Sequence, residues 1–130
     1  MAEVRGLVGV YNARGGVRGE LGYAVGRLLG TAHCALCDIT HATVRRKPAW
    51  DTMAARLGVP VALVHLDEVP GDVASAVAAA GTPVVLARLS EGGARVLLGP
   101  DQLELGGSVE AFEQSLRDAV RRLELHLPDG

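Results

Sequence analysis

Cys34 and Cys37 are the only cysteines in the chain, and they stand as C-x-x-C inside His33-Cys34-Ala35-Leu36-Cys37-Asp38-Ile39-Thr40-His41. This spacing suits a dithiol that cycles with its disulfide, or half of a metal site, more than a structural cross-link. A disulfide across so short a loop removes little chain entropy. The bland alternative is two small buried hydrophobes that happen to be close. A working dithiol needs a thiolate, made available by a nearby cation or a helix N-terminus. His33, His41 and His65 are candidates for that cation, and Asp67 for the carboxylate that orients an imidazole. The redox chemistry needs no cofactor. Zinc takes about four ligands and favours sulfur and nitrogen, so Cys34, Cys37, His41 and His65 form a competing Cys2His2 set for zinc or another transition metal.

A third chemistry belongs to a different region. Gly15-Gly16-x-x-Gly19 follows an apolar run and opens a helical pattern, which is how phosphate-cradling loops are laid out, with Arg14 and Arg18 beside it. The loop lacks the glycine spacing of a dinucleotide fingerprint and the Lys-Ser/Thr of a P-loop, so nucleotide or phosphate binding ranks below the other two. None of Ser75, Ser90, Ser108 and Ser115 sits in a nucleophile-elbow context. Each candidate also has a structural reading. His65 as a core histidine, Asp67 and Glu68 as a solvated strand end, and Tyr11 and Trp50 as packing residues need no chemistry. His126 has no catalytic company.

The elements that must position these groups follow from apolar periodicity. Val4 to Val10 reads as a buried strand ending at Tyr11-Asn12. Leu21, Ala24, Val25, Leu28 and Leu29 fall on one helical face that Gly30 ends, and Gly22, Gly26 and Gly30 repeat every four residues. Residues 31–46 carry the cysteines and no clean period. Pro48 opens a helix whose buried face is Trp50, Met53, Ala54 and Leu57, terminated by Gly58 and Pro60. Val61 to Val69 reads as a central parallel strand covered on both faces, with Leu63, His65 and Asp67 on one side. Asp72 is placed to cap an alanine-rich helix ending at Gly81. Val84 to Leu89 and Arg95 to Leu98 pair through a Glu91-Gly92-Gly93 turn. Ser108 caps a last helix with the stripe Val109, Phe112, Leu116, Ala119, Val120 and Leu123, and the tail from Leu127 should fray.

Helical connections predict that the first two strands are parallel, with a right-handed crossover. The first strand then ends at the carboxyl edge of the sheet. Residues 31–46 must climb back to that edge, because the helix on each side of them descends. His65 and Asp67 end the second strand there, and Pro83 opens an antiparallel third strand at the same place. Ligands in open α/β sheets bind at this edge. Cys34, Cys37 and His65 are therefore expected at one site.

With Thr82-Pro83 opening the third strand, this order resembles the thioredoxin-like fold. The resemblance implies a single domain over 1–130 with a three-layer α/β/α architecture and a four-stranded mixed sheet, its C-x-x-C loop inserted in the first crossover. It also implies Cys34 as the attacking thiol and Cys37 as the resolving one. Pro83 would lie against the disulfide behind a cis Thr82-Pro83 bond. In thioredoxin-like proteins the C-x-x-C follows the first strand directly; here Asn12 to Gly19 holds that place. Tyr11-Asn12-Ala13, Cys34-x-Leu36-Cys37-x-x-Thr40-His41, Lys47-x-x-Trp50 and Leu63-x-His65-x-Asp67-Glu68 together resemble an uncharacterised family of small bacterial proteins, which carries no activity with it.

Composition bounds the partners. The 130 residues are 48% hydrophobic and 22% charged, ordinary for a globular domain and unlike a disordered chain. A net charge of −2 argues against a nucleic-acid grip, and 3% aromatics are too few to stack bases. No run approaches the roughly 18 apolar residues of a membrane span, and Glu3 and Arg5 interrupt the N-terminus before any signal-like core. A cytoplasmic protein is expected. Its partner would be a protein or small-molecule thiol or disulfide, with a second copy of the chain as a further candidate.

Overall fold

The computed structural model describes residues 2–12, 34–42 and 45–128. The helix expected over 21–29, His33 and the Gly15–Gly19 loop lie outside these residues. The elements are β1 (Ala2–Val10), α1 (Ala35–Thr40), β2 (His41–Ala42), β3 (Arg45–Arg46), α2 (Pro48–Arg56), β4 (Val61–Val64), α3 (Ala74–Ala80), β5 (Val84–Leu89), β6 (Ala94–Leu98), α4 (Val109–Arg122) and β7 (Leu125–His126). The main sheet runs β4-β1-β5-β6. As expected, β1 and β4 are parallel, with Val10 opposite Val64, and β5 and β6 form an antiparallel hairpin. β1 also pairs antiparallel with β5, placing Val10 opposite Val84. The strands therefore deliver Tyr11, His65 and Pro83 to one edge.

Strand alternation divides the interior between two faces. Val8, Val10, Val84 and Leu86 turn toward Val73 and toward Val77 of α3. Leu7, Tyr11, Val85, Ala87 and Leu97 turn the other way, toward α1, α2 and α4. Gly9 is on this second face too, where a Cβ would be crowded, 2.9 Å from Leu63 Cδ2 and 3.2 Å from Leu36 Cδ2. Pro48 is in the first turn of α2, whose Trp50 and Met53 are buried; the Trp50 ring packs on Phe112 at 5.0 Å. Ser108 Oγ accepts the Ala111 amide at 3.1 Å and caps α4, which buries Phe112, Leu116, Ala119 and Val120.

Four expectations are corrected. The apolar run from Val61 holds a strand only to Val64, and that strand lies at the end of the sheet order, not its centre. Glu68 explains the early stop: its Oε1 accepts the His65 amide at 2.9 Å and folds Leu66–Glu68 into a 3-10 turn. Asp72 does not cap α3; its carboxylate accepts Arg88 Nε and Nη2 at 2.8 and 3.0 Å. The C-terminal tail is tied down through Leu127, which is buried, because β7 pairs parallel with the start of β1 and brings the sheet to five strands. Residues 31–46, expected to be irregular, contain α1 and the β2-β3 ladder.

Candidate functional site

α1 begins at Cys34, whose sulfur takes the place a serine or aspartate oxygen usually holds at a helix start. Cys34 Sγ accepts the Cys37 amide at 3.3 Å, and the Asp38 amide donates to the Cys34 carbonyl at 3.0 Å. Leu36, Ile39 and Thr40 are wholly buried, so nearly every face of this short helix is inside the protein. Two contacts seat it. The Lys47 amide donates to the Thr40 carbonyl at 2.7 Å, and Lys47 Nζ donates to the Gly107 carbonyl at 2.7 Å. Gly107 has φ +76°, and a Cβ on it would stand 3.1 Å from the Asp38 carbonyl oxygen. Only glycine suits that position.

The seated helix returns Cys34 to the end of β1. The Asn12 amide donates to Cys34 Sγ at 3.3 Å. On the neighbouring strand end, Thr82 Oγ1 donates to Asn12 Oδ1 at 3.1 Å, and the Thr82–Pro83 bond that follows is cis. Cys34 and Cys37 are not joined by a disulfide; Cys34 is 0% exposed and Cys37 is 7% exposed. The Cys34 thiol is lowered from 9.0 to about 7. The largest cause is the hydrogen bond from the Cys37 thiol. Burial opposes it, the Asn12 and Cys37 amides assist it, and the Asp38 carboxylate works against it. Hydrogen bonding thus does what a histidine cation was expected to do.

Tyr11 joins this region to the histidines. Its hydroxyl lies 3.0 Å from Thr40 Oγ1, which in turn lies 2.6 Å from His41 Nδ1. Thr40 has one proton to donate; when that proton goes to His41 Nδ1, the Tyr11 hydroxyl donates into Thr40. The Tyr11 ring also meets the His41 ring at 5.8 Å and the His65 ring at 5.2 Å. His65 Nδ1 is 2.7 Å from Glu68 Oε1, which places the Glu68 carboxylate on this imidazole. Hydrogen bonds from the His65 amide and then its ring hold the Glu68 carboxyl below the usual range.

Four segments distant in sequence therefore meet at one edge: Tyr11-Asn12, Cys34 to His41, His65 to Glu68, and Thr82-Pro83. Cys34, Cys37, His41 and His65 are not drawn together as a Cys2His2 centre; among the described residues no three His, Cys, Asp or Glu side chains gather closely enough to hold a metal ion. The Nδ1 atoms of His41 and His65 are turned instead toward Thr40 and Glu68, and the Cys34 sulfur toward amides. Asn12, Thr82, Glu68, Lys47 and Gly107 take part here without belonging to the catalytic or metal sets expected from the sequence. Glu68 alone left a usable signal, as the residue three beyond His65 in a capping-box arrangement. No helix among the described residues is long and apolar enough to cross a membrane. No protein-family model matches the chain, and no curated protein or solved structure is significantly similar to it.

Proposed function

We propose that this chain is a thioredoxin-like C-x-x-C protein that performs thiol-disulfide exchange, with Cys34 as the attacking thiol and Cys37 as the resolving one. The observation that carries the reading is the Cys34 sulfur, which accepts hydrogen bonds from the Asn12 amide, the Cys37 amide and the Cys37 thiol. Three donors on one sulfur favour its anion, and the anion is the nucleophile. Further support comes from the sheet, whose first crossover is parallel and whose last hairpin is antiparallel, and from the return of Cys34 to the end of β1.

The Cys34 thiolate attacks one sulfur of a disulfide R–S–S–R′. A Cys34–S–R bond forms, the S–S bond breaks, and R′–S⁻ leaves and takes a proton from solvent. Cys37 gives up its proton and attacks the Cys34 sulfur, expelling R–S⁻. Two electrons have passed to the substrate, and the protein holds a Cys34–Cys37 disulfide that an external dithiol reduces. Because Cys34 is wholly buried, a small disulfide reaches it with less displacement than a protein one.

The test is the pH dependence of iodoacetamide alkylation, read at each cysteine by mass spectrometry. Cys34 should titrate near pH 7, and Cys37→Ala, which removes the strongest donor, should move that midpoint upward. An ordinary midpoint of about 9 would sink the proposal. Equilibration with glutathione disulfide should yield the Cys34–Cys37 disulfide. Folding stability carries the same signature. A thiol whose folded value lies below its unfolded one contributes stability that is complete above the unfolded value and lost as pH falls through the folded one. The reduced protein should therefore lose stability relative to Cys34→Ala between pH 9 and about 7.

A further inference from the structure

We infer that Asn12 and Thr82 are positioning residues for the Cys34 sulfur: the Thr82 hydroxyl holds the Asn12 side chain, and that hold aims the Asn12 amide at Cys34. The inference rests on Cys34 being the reacting thiol and adds to it the side-chain hydrogen bond from Thr82 to Asn12.

Asn12 lies beyond the last residue of β1, where strand pairing no longer dictates the backbone. The final pairing bond there runs from the Tyr11 amide to the Val64 carbonyl, at 2.9 Å. One residue further on, the Asn12 amide leaves the sheet and meets Cys34 Sγ at 3.3 Å. A hydrogen bond of this kind weakens steeply as its donor swings away from the acceptor, so the peptide plane must be held. The hold available is at the other end of the same residue, where Asn12 Oδ1 accepts the Thr82 hydroxyl at 3.1 Å. Thr82 is itself fixed, since buried Pro83 follows it and Val84 is in register with Val10. The connection thus runs from the start of β5 through a side chain and its backbone to the sulfur. It spans 70 residues of sequence in its first link and 22 in its second.

The chemistry of the first link is specific. An amide oxygen only accepts, so Thr82 must donate, and serine does this where valine does not. The contact is solvent-exposed, so its share of overall stability is small. A pair that merely ties two strand ends together would change the melting temperature alone. A pair that aims a donor at a thiolate changes the titration of that thiolate.

Alkylation of the full-length chain at Cys34 across pH decides between these, with thermal melts run in parallel. Thr82→Val and Asn12→Ala should each raise the Cys34 midpoint by about half a unit or more. The double variant should go no further than either single one, because both break the same connection. Thr82→Ser should titrate like the parent protein. Asn12→Ala leaves Thr82 and Pro83 intact and carries the test should Thr82→Val not fold. A low parental midpoint that both variants retain overturns the positioning role while leaving Cys34 as the reacting thiol. An ordinary parental midpoint overturns both.

Discussion

On one face of the sheet, Leu7, Val85, Ala87 and Leu97 lie beneath Leu36, Ile39, Trp50, Met53, Phe112 and Leu116, which arrive on three helices. On the other, among the described residues, Val8, Val10, Val84 and Leu86 meet Val73 and the Val77 side chain of one short helix. Both cysteines belong to the first face. Depth there has two opposed effects on Cys34: burial pushes the thiol up, and hydrogen bonds made away from water are strong enough to pull it down further. Among the described residues the other face has the thinner cover, one short helix and the Val73 turn, and the Arg88 to Asp72 contact there is exposed. Around Cys34, packing keeps water from competing with those donors.

The largest test of this contrast is core truncation. Phe112→Ala on the deep face should cost about 3–5 kcal/mol by urea denaturation. Val77→Ala on the thin face should cost about 1.5 kcal/mol, the value of two buried carbons. Equal losses would break the comparison. Next in size is Gly107→Ala, which places a Cβ 3.1 Å from the Asp38 carbonyl oxygen at φ +76°. It should cost about 1–3 kcal/mol. It should also speed amide exchange across Ala35–Thr40, since the Gly107 carbonyl and Lys47 together seat that helix. A stability loss that leaves exchange in α1 unchanged would show that the loop does not seat it. Smallest is Asp72→Asn, which removes the charge of the Arg88 pair; a small loss of stability that shrinks with added salt is expected. A larger, salt-insensitive loss would mean that the thin face depends on its polar contacts after all.

Local pattern carried much of this architecture. Pro48 followed by Trp50 and Met53 at helical spacing, Ser108 before an amphipathic stripe, and Glu91-Gly92-Gly93 between two apolar runs each correspond to the element found. These signals succeed because caps, turns and helix faces are decided within a few residues. The failures are as instructive. Val61 to Val69 is apolar enough for a long central strand, yet a carboxylate three residues past His65 captures its amide and ends the strand early. Asp72 has the chemistry of a cap, but an arginine 16 residues away competes for it successfully. Leu127 looks like a fraying end until β1 offers β7 an edge.

Order and spacing along the chain dictate that two thiols stand three residues apart in an α/β protein, and that β1 and β4 end, and β5 begins, on one side of the sheet. Those properties follow from spacing, periodicity and connection direction, all of which are written along the chain. Which groups touch the sulfur was decided only in three dimensions. Asn12 reaches Cys34 through its backbone amide, a group every residue except proline carries, so no residue type could announce it. Lys47 and Gly107 seat α1 through backbone carbonyls and a left-handed turn, which are equally silent in a list of side chains. Side-chain chemistry can be read from residue names; the aim of a peptide N–H exists only once the chain is folded.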